Sequence, residues 1–359
     1  MARNRFFGLT SRVLMLIVAG LLILSYASII VNPAKVWLIS LAGIFFIPLS
    51  VLNIFLLLWA MKRRSKSFLI PLLALLPSIF FAGRYVQFDS DEDRIARMSH
   101  TGRTIRIISY NVGRFAHDEG VFSSREECVD SIFAFILDQD PDIICLQEFH
   151  TSDVEHIRSL IRRRLGDYPA GYYLFPTGKG GFGNVTLSRL PIRNKGVIKF
   201  EESANLALYT DYSFHGRDFR VYNCHFESYN ISLSGLLRAM MRKDSDAFTE
   251  TGSKMKKSIT RRPKQVDQVF SDIENCPLES FVCGDFNDNP MSYTYYRMKK
   301  GRKDAFVEAG DGFGATYATL WPVLRIDYVL FPDSFQAVSH EIPRVPYSDH
   351  YPVITEIEL

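Results

Sequence analysis

The side chains best suited to chemistry in this chain stand at the ends of apolar, strand-like runs. Ile105-Arg106-Ile107-Ile108-Ser109-Tyr110 ends on Asn111, Ile143-Ile144-Cys145-Leu146-Gln147 on Glu148, and Phe219-Arg220-Val221-Tyr222-Asn223-Cys224 on His225. Phe281-Val282-Cys283-Gly284 runs into Asp285, Asn287 and Asp288, Asp327 lies inside the apolar run 324–331, and Asp349-His350 precedes the closing run Val353-Ile354-Thr355. Each alone has a plain reading as a solvated strand end or an Asx turn. Together they imply strands that converge on one polar pocket. Carboxylates and carboxamides without cysteine ligands suit a hard, oxygen-preferring ion such as Mg²⁺ or Mn²⁺, which keeps some waters and meets a phosphate. Histidines beside acids suit general acid/base work or stabilisation of a phosphoryl transition state.

For these groups to meet, the runs must be strands with their ends on one rim. Side chains alternate along an extended chain, so Asp285 and Asn287 are expected to face one spot, where they can hold and deprotonate a water. Asp288 then points the other way and reads as a turn residue, and Asp327, buried mid-run, needs a partner. Helical spacing over 126–137 and a basic amphipathic stretch over 154–165 alternate with the strands, the latter read as a solvated face. Gly178-Lys179-Gly180-Gly181-Phe182-Gly183-Asn184 lacks the Gly-Lys-Ser/Thr ending of a nucleotide phosphate loop and reads as a hairpin or cleft edge. The cation-rich stretch 238–264 reads as a solvated helix pair, with phosphate or anionic lipid as the alternative contact.

Residues 1–88 have a different character from the rest. Apolar runs over 13–31, 36–61 and 68–83 are expected to be three transmembrane helices, the third kinked by Pro71 and Pro77. Two further runs after the first speak against a cleaved signal peptide. Arg3, Arg5 and Arg12 before the first run, and Lys62, Arg63, Arg64 and Lys66 before the third, place those positions in the cytoplasm. The third span would then carry the remainder out of the cytoplasm; a re-entrant third segment would invert this. Acidic residues at 89–93 open a linker over 89–103, and one globular domain is expected over 104–359. With a net charge of +3 the 359-residue chain has no bulk preference for a polyanion. Its five cysteines show no zinc spacing and no disulfide framework, although Cys128 and Cys276 remain open as a pair in an oxidising compartment.

The ordered motifs Ser109-Tyr110-Asn111-Val112, Leu146-Gln147-Glu148, Asn223-Cys224-His225, Gly284-Asp285-Phe286-Asn287, Arg325-Ile326-Asp327-Tyr328 and Ser348-Asp349-His350 resemble those of the endonuclease/exonuclease/phosphatase superfamily. The resemblance implies an α/β four-layer sandwich, two packed mixed sheets flanked by helices, with the site at the top between the sheets. It implies that Glu148 binds Mg²⁺ or Mn²⁺ with Asn111 and Asp349 nearby. It implies further that Asp285 deprotonates the attacking water, Asn287 positions water or phosphate, His225 and His350 hydrogen-bond the phosphoryl oxygens, and Asp327 fixes the His350 ring. The expected activity is hydrolysis of a phosphodiester or phosphomonoester by in-line water attack. Membrane tethering favours a phospholipid head group as substrate and the bilayer as partner, with no obligate protein partner. The alternatives are an extracytoplasmic nuclease and an inactive scaffold that retains the fold.

Overall fold

The computed structural model describes all residues except 1, 90–96, 98–102, 117–119, 152–153, 166–167, 169, 178–179 and 230–244. The chain divides into two compact units. One comprises Val86–Ser228, Gln265–Asn287 and Arg297–Leu359; the other comprises Met1–Tyr85, Tyr229–Lys264 and Asp288–Tyr296.

The first unit holds the strands that carry the motifs. One six-stranded sheet has the order β10 (Arg302–Asp304), β12 (Asp327–Pro332), β9 (Glu279–Asp285), β8 (Arg217–His225), β7 (Leu206–Phe214), β6 (Asn194–Lys199). The other has the order β13 (Gln336–Glu341), β14 (Val353–Glu358), β2 (Thr104–Asn111), β3 (Ile143–Thr151), β5 (Gly180–Ser188), β4 (Ala170–Thr177). Each sheet is mixed, with one parallel pair at its centre, β8 with β9 and β2 with β3, and antiparallel pairs elsewhere.

Period-two alternation explains the layers. Ile105, Ile107, Ile143 and Cys145 face Phe219, Val221, Phe281 and Cys283 in the core between the sheets. Their neighbours Ile108, Tyr110, Ile144 and Leu146 pack against Cys128, Ile132, Phe133 and Ile136 of the helix Arg125–Asp138 on the outer face. On the outer face of the other sheet, Arg220 and Tyr222 both donate to Asp272 of the helix Ser245–Asn275, at 3.2 and 2.6 Å. The layers are therefore helix, sheet, sheet, helix. Cys128, Cys145, Cys224, Cys276 and Cys283 are all free thiols, so the open Cys128–Cys276 pairing is not made.

The helical unit departs from three straight spans. Among the described residues, only Ala2–Ala27 holds a window, Thr10–Ala27, long and apolar enough to cross a bilayer by itself. Trp37–Ile44 and Phe46–Lys62 meet at 61° where Phe45 leaves helical geometry, and they reach spanning length only as a pair. The run Lys66–Ala82 is too short, and it is split by a 3₁₀ turn, Leu76–Ser78, at Pro77, whose ring nitrogen has no hydrogen to donate. The expectation that a third span carries the remainder of the chain across a bilayer loses its structural basis.

The expected single domain over 104–359 is also interrupted, because 288–296 packs with the N-terminal helices. Asn289 donates to Gly43 O at 2.9 Å, a carbonyl at the break in the helix pair. Ser28 Oγ donates to Met291 O at 2.5 Å and Arg84 to Pro290 O at 3.0 Å. Any side chain at Gly43 would overlap Ser28 and the Met291 carbonyl, so glycine is required there. Of the linker, Asp89 is ion-paired with Arg97 at 2.5 Å rather than simply solvated, and 90–93 lie outside the described residues.

Candidate functional site

Strand register builds the centre of the site. His225 lies opposite Asp285 across β8 and β9, and Asp285 lies opposite Asp327 across β9 and β12, so three motif residues stand in one row. The other sheet delivers Asn111 from the end of β2, Glu148 from β3, and Asp349 and His350 from the turn before β14. Glu148 sits where the β3–β5 register shifts between Leu146 and Phe149, and its φ of 52° shows the local kink. Such a bulge turns a side chain out of the regular alternation.

The carboxylate of Asp285, 1% exposed, is the hub. Its Oδ2 accepts from Asn111 Nδ2 at 2.9 Å and Asn287 Nδ2 at 3.0 Å, and its Oδ1 accepts from the Asn287 backbone N–H at 2.7 Å. The Nε2 atoms of His225 and His350 each lie 3.8 Å from Oδ2. Asp285 and Asn287 meet, but not by strand alternation: β9 ends at Asp285, and Asn287 takes a left-handed φ of 52° to close an Asx turn. In this arrangement Asn287 orients Asp285 and also donates to Phe226 O at 3.0 Å.

His350 Nδ1 lies 3.0 Å from Asp327 Oδ2, and both residues are buried. Burial alone would lower the His350 pKa, but the surrounding Asp327, Asp285 and Asp349 carboxylates push it up to about 10. Asp285 moves up to about 6, chiefly by burial, against the pull of the His350 and His225 rings; the Asp327 charge adds to the rise. A buried acid beside a protonated imidazole is the kind of divergent pair that assigns acid and base roles.

Glu148 is half-exposed; its Oε1 lies 3.7 Å from His225 Nε2 and its Oε2 accepts from Arg114 at 3.2 Å. Asp349 is exposed, and the Ser348 hydroxyl links it to β2, lying 3.3 Å from Asp349 Oδ1 and 2.8 Å from Asn111 O. Asp285, Asp327 and His350 also bring ligand-type atoms within 4.8 Å of one another. That trio is the poorer cation site, because all three residues are buried and Nδ1 of His350 is already taken by Asp327. Glu148 fits a hard divalent ion better: its carboxylate reaches the surface, its charged partner is an exposed guanidinium that can swing away, and the buried Nε2 of His225 beside it has no hydrogen-bond partner among the described residues.

Asp288, expected as a turn residue, does lie in a bend, but it does more than turn the chain. It is buried in the helical unit, paired with Arg262 at 3.0 Å and accepting from Thr294 at 2.8 Å. Arg262, expected on a solvated face, is 2% exposed for the same reason. Within 238–264 the positions up to 244 lie outside the described residues, and 245–264 belongs to one long helix, Ser245–Asn275, rather than a pair.

Sequence reasoning gave no role to several supporting residues. The Tyr317 ring stands edge-on to His350 at 5.3 Å, on a loop without periodic signal. Beneath the site, Gln147 donates to Asn223 Oδ1 at 2.8 Å, Asn223 donates to Val185 O at 3.0 Å, and Asn184 donates to Asn223 O at 2.8 Å. These amides fasten the two sheets together under the rim. Polar residues inside apolar runs were the available signal for them.

Comparisons with known proteins agree with this architecture. No curated protein matches the chain. A family model described as a domain of unknown function (DUF8431) matches residues 4–85. Among solved structures, an endonuclease/exonuclease/phosphatase from Bacteroides vulgatus is 19% identical with a TM-score of 0.54, covering 72% of this chain and 99% of that one. The human Nocturnin catalytic domain with bound sulfate is 17% identical, TM-score 0.52, covering 73% and 97%. A humanized D. rerio TDP2 is 16% identical, TM-score 0.51, covering 71% and 99%. At these identities the likeness is one of fold. The model of the Endonuclease/Exonuclease/phosphatase family spans residues 108–350, more than half of the chain and every residue of the site, and the chain belongs to that family.

Proposed function

We propose that this chain is a divalent-metal-dependent phosphoesterase that hydrolyses a phosphate ester by in-line attack of water. The observation that carries the reading is the buried row of His225, Asp285 and Asp327 with His350 closing over it. Asp285 takes the proton from the attacking water at a carboxylate oxygen. Asn111 and Asn287 hold that carboxylate in place. His225 and His350 donate to the phosphoryl oxygens as the water–phosphorus bond forms and the ester oxygen leaves, and Asp327 keeps the His350 ring oriented and protonated. Glu148, with Asn111 and Asp349, would hold Mg²⁺ or Mn²⁺, which when bound neutralises charge developing on the phosphate.

Membrane association through the N-terminal helices belongs to the same proposal. Most of the exposed large apolar side chains lie between Val13 and Phe88, a surface unlike that of an ordinary soluble domain. A lipid or nucleotide phosphate ester both remain substrates of the same chemistry.

The test uses the full chain in detergent with bis(p-nitrophenyl) phosphate, with and without Mg²⁺ or Mn²⁺. Hydrolysis abolished by EDTA and reduced on the order of 10²–10⁴-fold by Asp285→Ala is expected. Equal rates for wild type and Asp285→Ala would discard the proposal in favour of an inactive scaffold.

A further inference from the structure

Arg114 and Glu148 are brought together by unusual backbone at both ends. Gly113, Arg114 and Phe115 take left-handed φ values of 52°, 60° and 54° in succession, and Glu148 takes 52°. Left-handed backbone is costly for a residue with a side chain and persists where the surroundings dictate it. Phe115, 1% exposed, stands edge-on to Phe149 at 5.0 Å, and the Val112 N–H donates to Gln147 O at 3.1 Å, so the loop after β2 is tied to β3 on both sides of Glu148. Within the loop the Gly113 N–H donates to Asn111 Oδ1 at 3.0 Å, and Arg125 donates to Arg114 O at 2.9 Å. A Cβ on Gly113 would lie 3.2 Å from Asp349 Oδ1. The loop therefore borders both outer carboxylates of the site, Asp349 at Gly113 and Glu148 at Arg114.

What this backbone presents is a guanidinium at the surface. Arg114 is 58% exposed, and its Nε donates to Glu148 Oε2 at 3.2 Å; the other oxygen of that carboxylate faces His225 Nε2 at 3.7 Å. Among the described residues the rest of the guanidinium has no hydrogen-bond partner, and the Phe182 ring lies 4.7 Å from it, a face over which it can slide. An exposed ion pair adds little to folding, so stability does not account for left-handed backbone at both of its ends. A guanidinium fork does match the paired oxygens of a phosphate. Arg114 and a divalent ion compete for Glu148 Oε2, whereas Arg114 and an ion held there attract the same phosphate.

We propose that Arg114 exchanges partners: it is the counter-cation of Glu148 until a divalent ion takes that carboxylate, and it then holds a non-bridging oxygen of the substrate phosphate. The proposal rests on the phosphoesterase reading for the ion and the phosphate, and on the paired left-handed positions of Arg114 and Glu148 for the exchange. Its signature is two effects of opposite sign. Arg114 weakens metal binding and strengthens phosphate binding, whereas truncating a residue that merely props the site would weaken both.

The full chain in detergent is titrated with Mn²⁺, free Mn²⁺ being read by electron paramagnetic resonance. The Mn²⁺-loaded chain is then titrated with inorganic phosphate, read by broadening of its ³¹P resonance. Arg114→Ala is expected to bind Mn²⁺ about 2–5-fold more tightly, as removal of an exposed ion pair allows, and phosphate at least about tenfold more weakly. Arg114→Lys, which keeps the charge without the fork, should return Mn²⁺ affinity to the wild-type level and restore phosphate binding only in part. Thermal melting checks that each variant folds, and Arg114→Gln carries the same two expectations if Arg114→Ala does not. Weaker binding of both probes, unchanged Mn²⁺ affinity or unchanged phosphate affinity in a folded variant would overturn the proposal. Hydrolysis of bis(p-nitrophenyl) phosphate with Mg²⁺ is followed alongside. Hydrolysis by wild type without the opposed shifts defeats the exchange alone; opposed shifts without hydrolysis defeat the phosphoesterase reading and leave Arg114 as an exchanging ligand.

Discussion

Asp285 and His350 place opposite demands on pH. Asp285 acts only as a carboxylate, and burial has lifted its pKa to about 6; His350 donates to phosphate only as imidazolium, and its acidic neighbours hold that form up to about 10. The pH profile of kcat/KM should therefore rise through about 6 and fall through about 10. Asp327→Asn removes the charge that sustains the imidazolium, so the alkaline limb should move to lower pH and kcat should drop on the order of 10–100-fold. An alkaline limb left in place by Asp327→Asn would separate His350 from that limb. At this scale the sequence was informative where an acid, amide or histidine ended an apolar run, because a polar group there needs a reason. It was silent on Tyr317, whose place against His350 is set by a loop, and on Asp288, whose Arg262 partner arrives from a distant helix.

Among the elements, β9 is the one with least freedom. Gly284 has a φ of +130°, and a Cβ there would overlap the Cys224 backbone of β8. Gly284→Ala should cost about 3 kcal/mol or more and lower the thermal midpoint, because neither the backbone nor the parallel neighbour can yield. It should also spread the His225–Asp285 row, so that activity falls more than stability at temperatures where the variant is folded. The amide cluster offers a milder change. Asn223→Leu would leave Gln147 and Asn184 donors without Asn223 Oδ1, and about 1–3 kcal/mol of stability should be lost, read by thermal melting. The strands and their apolar alternation were legible from the sequence, as Ile105 and Ile107 against Ile108 and Tyr110 show. The register that puts His225, Asp285 and Asp327 in one row was not, because pairing partners lie far apart in the chain.

At the scale of the molecule, the helical unit is assembled from three separate stretches, Met1–Tyr85, Tyr229–Lys264 and Asp288–Tyr296. Arg262→Ala should destabilise the helical unit by about 3–5 kcal/mol, since Asp288 would stay buried without its guanidinium, and melting in detergent measures this. Carbonate extraction of native membranes should leave the full chain in the pellet if Ala2–Ala27 and its neighbours lie in the bilayer; release into the supernatant would remove the membrane from the proposal. The apolar runs lie where the helices of this region form, but they exaggerate its regularity, because a hydropathy pattern does not report that Phe45 breaks one helix or that Asn289 will satisfy the carbonyl exposed there.

That Asn289 contact sets an order of events during synthesis. The helices ending at Tyr85 leave the ribosome long before 288–296, the segment that completes their packing. At roughly 5–20 residues per second, the delay is on the order of ten seconds or more. For that interval Gly43 O, Ser28 and Arg84 lack their contacts to Asn289, Met291 and Pro290, although Ser28 can already donate to Ser25 O and Arg84 can lie over Phe81, while the strands of the other unit are being made. The helices up to Tyr85 are therefore made well before the segment that completes their packing, and a ribosome stalled before Asp288 would hold a helical unit still open to substitute partners.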